Sequence, residues 1–252
     1  MIDGMRRSTK ASFATLLAIT FLLAWERSAP AQSPSPGMPV NPWLASGPRY
    51  RISYSAKVGE VSRYRVVEKI TVASQETLRT FVYTARTADV QAGVILRETM
   101  LESETVTIDG KPVAARAAGE KAVARIEANG RAVGGERGVE LPLCRQEMSK
   151  LEMPVGVAWS RTERVYPGAF PPVEILWQWT FDSVAPAGVA ANARIKMQGR
   201  ESGFNPGEKA QLKGGILWDL AGERLLKLRV KGTVQESGGR KTDYGLAVDR
   251  LP

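Results

Sequence analysis

Histidine is absent from this 252-residue chain, and cysteine occurs once, as Cys144. The first absence removes every mechanism that needs an imidazole base, Ser-His-Asp and Cys-His sites included, and every His-bearing zinc site. The second removes an internal disulfide, a four-cysteine zinc cluster and an iron–sulfur cluster held by this chain alone. No Gly-x-Ser-x-Gly elbow occurs, and no Ser-x-x-Lys pair follows residue 31. Gly134-Gly135-Glu136-Arg137-Gly138 lacks the Gly-Lys-Ser/Thr ending of a phosphate loop and reads as a mobile loop. The scattered Asp89, Asp182, Asp219, Asp243 and Asp249 lack the spacing of a calcium loop, and Asp219 is placed to set the turn before Gly222. No metal or cofactor is implied, and the expectation is a protein without catalytic residues.

What remains is ordinary for a packed domain: 43% apolar and 24% charged residues, with 24 Gly and 15 Pro suited to many turns. The first 31 residues read as a secretory signal. Arg6, Arg7 and Lys10 lead an apolar run, Phe13–Trp25, that is short for a bilayer span, and Ala29-Pro30-Ala31 offers a cleavage site. The expected address is therefore periplasmic or extracellular, with no transmembrane span after cleavage. The leader takes four of 35 basic and two of 26 acidic residues, leaving a net charge of +7. Residues 32–48 carry five prolines and read as an extended tether. Cys144, between Leu143 and Arg145, reads as a small buried apolar residue.

Beyond the tether, period-2 alternation predicts a mainly β, antiparallel fold of long curved strands. Tyr64, Val66, Ile70 and Val72 alternate with Arg63, Arg65, Lys69 and Thr71. Val173, Ile175, Trp177, Trp179 and Phe181 alternate with mostly polar residues. Leu226, Leu228, Val230 and Val234 alternate with Lys227, Arg229, Lys231 and Thr233. Asp109-Gly110 and Asn129-Gly130 predict two-residue hairpins, because both pairs tolerate positive φ at both central positions. At most one short helix is expected, near 143–153.

The strands also form a repeated plan. Val58-Gly59-Glu60-Val61-Ser62-Arg63 matches Val155-Gly156-Val157-Ala158-Trp159-Ser160-Arg161 with one insertion. Asp89–Val94 matches Ser183–Val189, Gly119-Glu120-Lys121 matches Gly207-Glu208-Lys209, and the turn at Gly130 matches that at Gly222, all in the same order. The predicted organisation is a first unit over 49–140, a hinge over 141–153 and a second unit over 154–252, closing as a half-barrel or packing as a sandwich. With Gly215-Ile216-Leu217-Trp218-Asp219-Leu220-Ala221-Gly222, this pattern resembles uncharacterised exported bacterial β-repeat domains, across roughly Ala56–Ser237. The resemblance implies fold and address and brings no activity or catalytic residues.

Three groups of side chains are candidates for function. Arg63, Arg65 and Lys69 on one strand and Lys227, Arg229 and Lys231 on another would form a cationic strip if both strands share a sheet. Such a strip attracts anionic envelope polymers or lipid head groups over long range, with no specific nucleic acid expected. Trp177, Trp179 and Phe181 form an aromatic row that either fills the core or lines a cavity for a hydrophobic ligand. Glu98, Glu102 and Glu104 share one face if Val94–Thr105 is a regular strand, and residues two apart on it lie about 7 Å from each other, near where the range for carboxylate-dependent glycan hydrolysis begins. The leading expectation is an exported, non-catalytic, envelope-associated binding or scaffolding protein. A hydrophobic-ligand carrier and a carboxylate hydrolase are the alternatives.

Overall fold

The computed structural model describes residues 47–135, 148, 152–165, 173–185, 191–201, 210–235, 239 and 241–252. The predicted leader, nearly all of the proline-rich stretch, Cys144 and most of the predicted 143–153 helix lie outside them. The described residues contain no helix, and so none long and apolar enough to cross a membrane.

Among the described residues twelve strands make one antiparallel sheet. In the first half they are β1 (Val61–Val72), β2 (Gln75–Gln91), β3 (Val94–Ile108), β4 (Lys111–Val113), β5 (Lys121–Glu127) and β6 (Ala132–Gly135). In the second they are β7 (Ala158–Val165), β8 (Val173–Ala185), β9 (Asn192–Glu201), β10 (Ala210–Asp219), β11 (Arg224–Gln235) and β12 (Lys241–Arg250). The order across the sheet is β6-β5-β3-β2-β1-β12-β11-β10-β9-β8-β7, with β4 appended to β3. This is one open, curled sheet. It is neither the sandwich nor a closed barrel. Gly134 and Gly135, expected in a loop, belong to the edge strand β6.

Alternation sets the two faces. Ser62, Tyr64 and Val66 of β1 are buried between exposed Val61, Arg63 and Arg65, and Ile175, Trp177, Trp179 and Phe181 of β8 are buried in the same rhythm. Where the rhythm slips, a one-residue bulge is the cause. Leu226 is the extra residue between the Trp218–Leu225 and Leu217–Lys227 pairs, so Leu225 is buried and Leu226 only half-buried. Glu102 is likewise extra between Tyr83–Leu101 and Val82–Ser103.

The two halves share local devices. The Gly59 amide donates to the Thr87 carbonyl (2.8 Å) and the Thr87 amide to Glu60 (3.0 Å), while the Gly156 amide donates to Phe181 (2.7 Å) and the Phe181 amide to Val157 (2.9 Å). Each paired residue is followed at once by a bulge, Ala88 in β2 and Asp182 in β8. Gly59 and Gly156 both sit at positive φ, 84° and 94°.

Turn chemistry follows expectation at Asp109-Gly110, a two-residue turn with φ of 49° and 75°. Asn129-Gly130 differs. The Glu127 amide donates to Arg131, giving a three-residue loop in which Gly130 alone has positive φ. Asn129 is buried instead, and its Nδ2 donates to the Met148 carbonyl (3.2 Å).

The inner face is sealed by a strap, residues 50–55. Tyr50 bridges Met153, the Tyr54 amide donates to Ala128 beyond β5, and the Ser55 amide donates to Glu223 beyond β10. Ile52 and Tyr54 are buried. The Tyr54 ring meets Trp218 of β10 edge-on at 4.9 Å, with the Arg97 guanidinium of β3 5.6 Å from its centroid. One side chain thus touches strands five steps apart in the sheet, which measures how far the sheet curls.

Candidate functional site

The six predicted basic residues share the outer face of one sheet, on either side of β12. Register places Arg65, Asp249 and Lys227 in one cross-strand row, Val67, Ala247 and Arg229 in the next, and Lys69, Gly245 and Lys231 in a third. Three of the six have acid partners: Arg63 with Glu102 (2.6 Å), Lys69 with Glu76 (2.6 Å) and Arg229 with Asp249 (2.5 Å). Arg65, Lys227 and Lys231 form no ion pair with the described residues. Exposed pairs of this kind contribute little and yield readily to a competing anion.

The third row continues past the predicted strip. Lys231 lies directly opposite Lys213 of β10, Lys213 opposite Gln198 of β9, and Gln198 opposite Gln178 of β8. A second row beside it carries Thr71, Asp243, Thr233 and Gln211. Together they line an outer-face cleft of about 670 Å3, open to solvent. Gly245 lies between Lys69 and Lys231, where the missing side chain leaves the row open. Lysines directly opposite each other repel, at a cost of a few tenths of a kcal/mol to about 1 kcal/mol, so Lys213 and Lys231 oppose the pairing that juxtaposes them.

Lys213 and the three glutamines escaped the sequence reading. Their outward positions follow from alternation in Ala210–Asp219, Asn192–Glu201 and Val173–Phe181. The place of Lys213, Gln198 and Gln178 in the row of Lys69 and Lys231, with Gln211 in the row beside it, depends on the pairing registers of five strand junctions, which alternation does not reveal.

The three glutamates do not share a face. The Glu102 bulge separates them: Glu98 is outward and exposed, Glu102 is engaged by Arg63, and Glu104 turns inward. Only 2% of the Glu104 side chain is exposed. It accepts hydrogen bonds from Arg79 Nε, from the Arg116 backbone amide (2.7 Å) and from the Arg116 guanidinium (3.1 Å). Burial pushes its carboxyl up, but the bonds from Arg116 and Arg79 outweigh burial and hold it below the usual carboxylate range. Nearby Glu68 also faces inward, 3.7 Å from Arg79, and accepts from the Tyr244 hydroxyl (3.3 Å). There burial dominates and raises the carboxyl above its ordinary value. This arrangement is a charge cluster closing the upper inner face, with Arg79 and Arg116 over the Phe81 ring. Among the described residues no three acidic or thiol groups gather as metal ligands.

Trp177, Trp179 and Phe181 lie on the inner face, exposed by 9%, 4% and 0%. Trp179 stacks between Trp159 and Trp177, and Phe181 meets Tyr50 edge-on. Trp177 lies over its cross-strand partner Gly199, where a Cβ would come within 2.8 Å of the indole. The row is packed into the core cluster.

No family model, no curated protein and no solved structure matches the chain. The surface chemistry alone therefore carries the functional argument.

Proposed function

We propose that the chain is an exported, non-catalytic binding protein of a cell envelope, and that its cationic outer face holds an anionic partner. The observation that carries this reading is the row Lys69–Gly245–Lys231–Lys213, in which two lysines face each other with no acid between them. Such a surface is unfavourable alone and is relieved by an anion. Export is supported by the basic-apolar-Ala-x-Ala leader. A carrier role has less support, because the aromatic row is filled by its own neighbours. So does a carboxylate hydrolase, because the candidate glutamates are divided between two faces, with two of them held by arginines.

The test is retention of the purified protein on an anionic polymer and on anionic vesicles as ionic strength rises. Binding that weakens steadily with salt, and weakens further in Lys213→Gln and Lys231→Gln, supports the reading. No retention on either surface at low ionic strength overturns it.

A further inference from the structure

The outer cleft narrows the partner's chemistry, given the anion-binding reading of this face. Adjacent strands stand about 4.8 Å apart, so the row from Lys69 on β1 to Gln178 on β8 spans five intervals, roughly 24 Å. Its charges are unevenly placed. Lys213 and Lys231 are neighbours, Lys69 lies two strands from Lys231 across Gly245, and the far end is carried by the amides of Gln198 and Gln178. Amides and hydroxyls both donate and accept, which suits a hydroxyl-bearing ligand more than a bare array of phosphates.

Two other polyanions fit less well. Among the described residues the cleft's one aromatic, Tyr244, is half-buried with its hydroxyl on Glu68, so these residues offer no stacking platform for bases. A lipid surface is a broad plane that cannot follow a recess, and none of the described lining residues is an exposed large apolar side chain that could enter a membrane. Asp243, exposed in the second row, accepts hydrogen bonds from hydroxyls but repels a densely charged chain.

We infer that the cleft binds a linear acidic polysaccharide lying across β1, β12, β11, β10, β9 and β8, its sparse anionic groups on Lys69, Lys231 and Lys213 and its hydroxyls on Gln198 and Gln178. Gly245 is the floor that admits the chain. A Cβ built there meets only Lys69, at 3.8 Å from its Cβ and 4.0 Å from its carbonyl oxygen, which is ordinary contact. Gly245→Thr therefore places a side chain on this floor without changing the protein's charge, and its Cβ is accommodated without a shift of the backbone.

The experiment compares polygalacturonate, polyphosphate and phosphatidylglycerol vesicles as probes at physiological ionic strength, with Gly245→Thr and Lys213→Gln beside the parent protein. Thermal melting verifies that each variant is folded. The expected result is preferential binding of polygalacturonate, weakened about tenfold by either substitution, with low-salt adsorption to vesicles unchanged in Gly245→Thr. Polygalacturonate binding unaltered by Gly245→Thr overturns the saccharide assignment while leaving charge-driven binding to the outer face intact. So does a preference for polyphosphate or vesicles that Gly245→Thr abolishes. No binding of any probe, even at low ionic strength, overturns both readings together.

Discussion

Removing the Tyr54 ring tests whether the strap is a wall of the core. The side chain is buried, edge-on to Trp218 and capped by Arg97. A buried aromatic ring removes roughly 150–250 Å2 from water, an upper estimate of about 4–6 kcal/mol at 25 cal/mol per Å2. Ring-to-Ala substitutions in cores cost about 3–5 kcal/mol once partial collapse of the cavity is included. Collapse is restricted here because the ring bridges β3 and β10. The expectation for Tyr54→Ala is a loss of about 4 kcal/mol, a large share of the roughly 5–15 kcal/mol that stabilises a typical protein. Tyr54→Phe keeps the ring contacts and should lose no more than about 1.5 kcal/mol. Urea unfolding followed by tryptophan fluorescence reads both, since buried Trp218 reports the strap directly. A Tyr54→Ala cost below about 1 kcal/mol would refute the reasoning, because the strap would then lie on the core rather than complete it.

Three further outcomes follow from other parts of the sheet. Ala73 and Ser74 form a two-residue turn with φ of 48° and 70°, conformations that non-glycine residues adopt at a cost, so Ala73→Asn with Ser74→Gly should stabilise by about 1 kcal/mol, seen as a raised urea midpoint. A Cβ at Gly214 would stand 2.0 Å from the Arg229 carbonyl oxygen, so Gly214→Ala must part β10 from β11 and should lower the melting temperature by several degrees, whereas a null result would mean that this close approach is absent. The two inward glutamates predict opposite pH behaviour. The lowered Glu104 carboxyl contributes stability that is present above the ordinary carboxylate range and lost as pH falls through its folded value. Glu104→Gln should therefore cost about 2 kcal/mol at neutral pH, with the difference vanishing in acid. Raised Glu68 favours its protonated form, so its contribution is present in acid and lost as pH rises; Glu68→Gln should flatten that loss in a series of denaturation curves.

Much of the architecture was legible because burial on one face of an antiparallel sheet imprints period 2 on the sequence. Tyr64-Arg65-Val66 and Trp177-Gln178-Trp179 state their own orientation. Two kinds of fact were hidden. Bulges at Glu102 and Leu226 invert the face of everything after them, and neither residue carries a local signature of the insertion. Cross-strand register is the other. That Lys231 opposes Lys213 follows from where the β10–β11 hairpin turns and bulges, and that Lys69 joins them follows from the pairing of the first strand with the last. The strap was invisible for a related reason: Ile52 and Tyr54 look like any apolar pair until the turns after β5 and β10 supply partners for the backbone between them.

Because β1 pairs with β12, the earliest-made strand of the sheet waits for the last one before its second edge is satisfied. The first half can form its hairpins as it emerges, yet Lys69 and Glu68 keep an open backbone edge until residues 241–250 arrive. Truncation near the C-terminus therefore removes a middle stave rather than an ornament at the rim. A chain that emerges end-first keeps this seam open throughout, and closes it only after residues 241–250 have appeared.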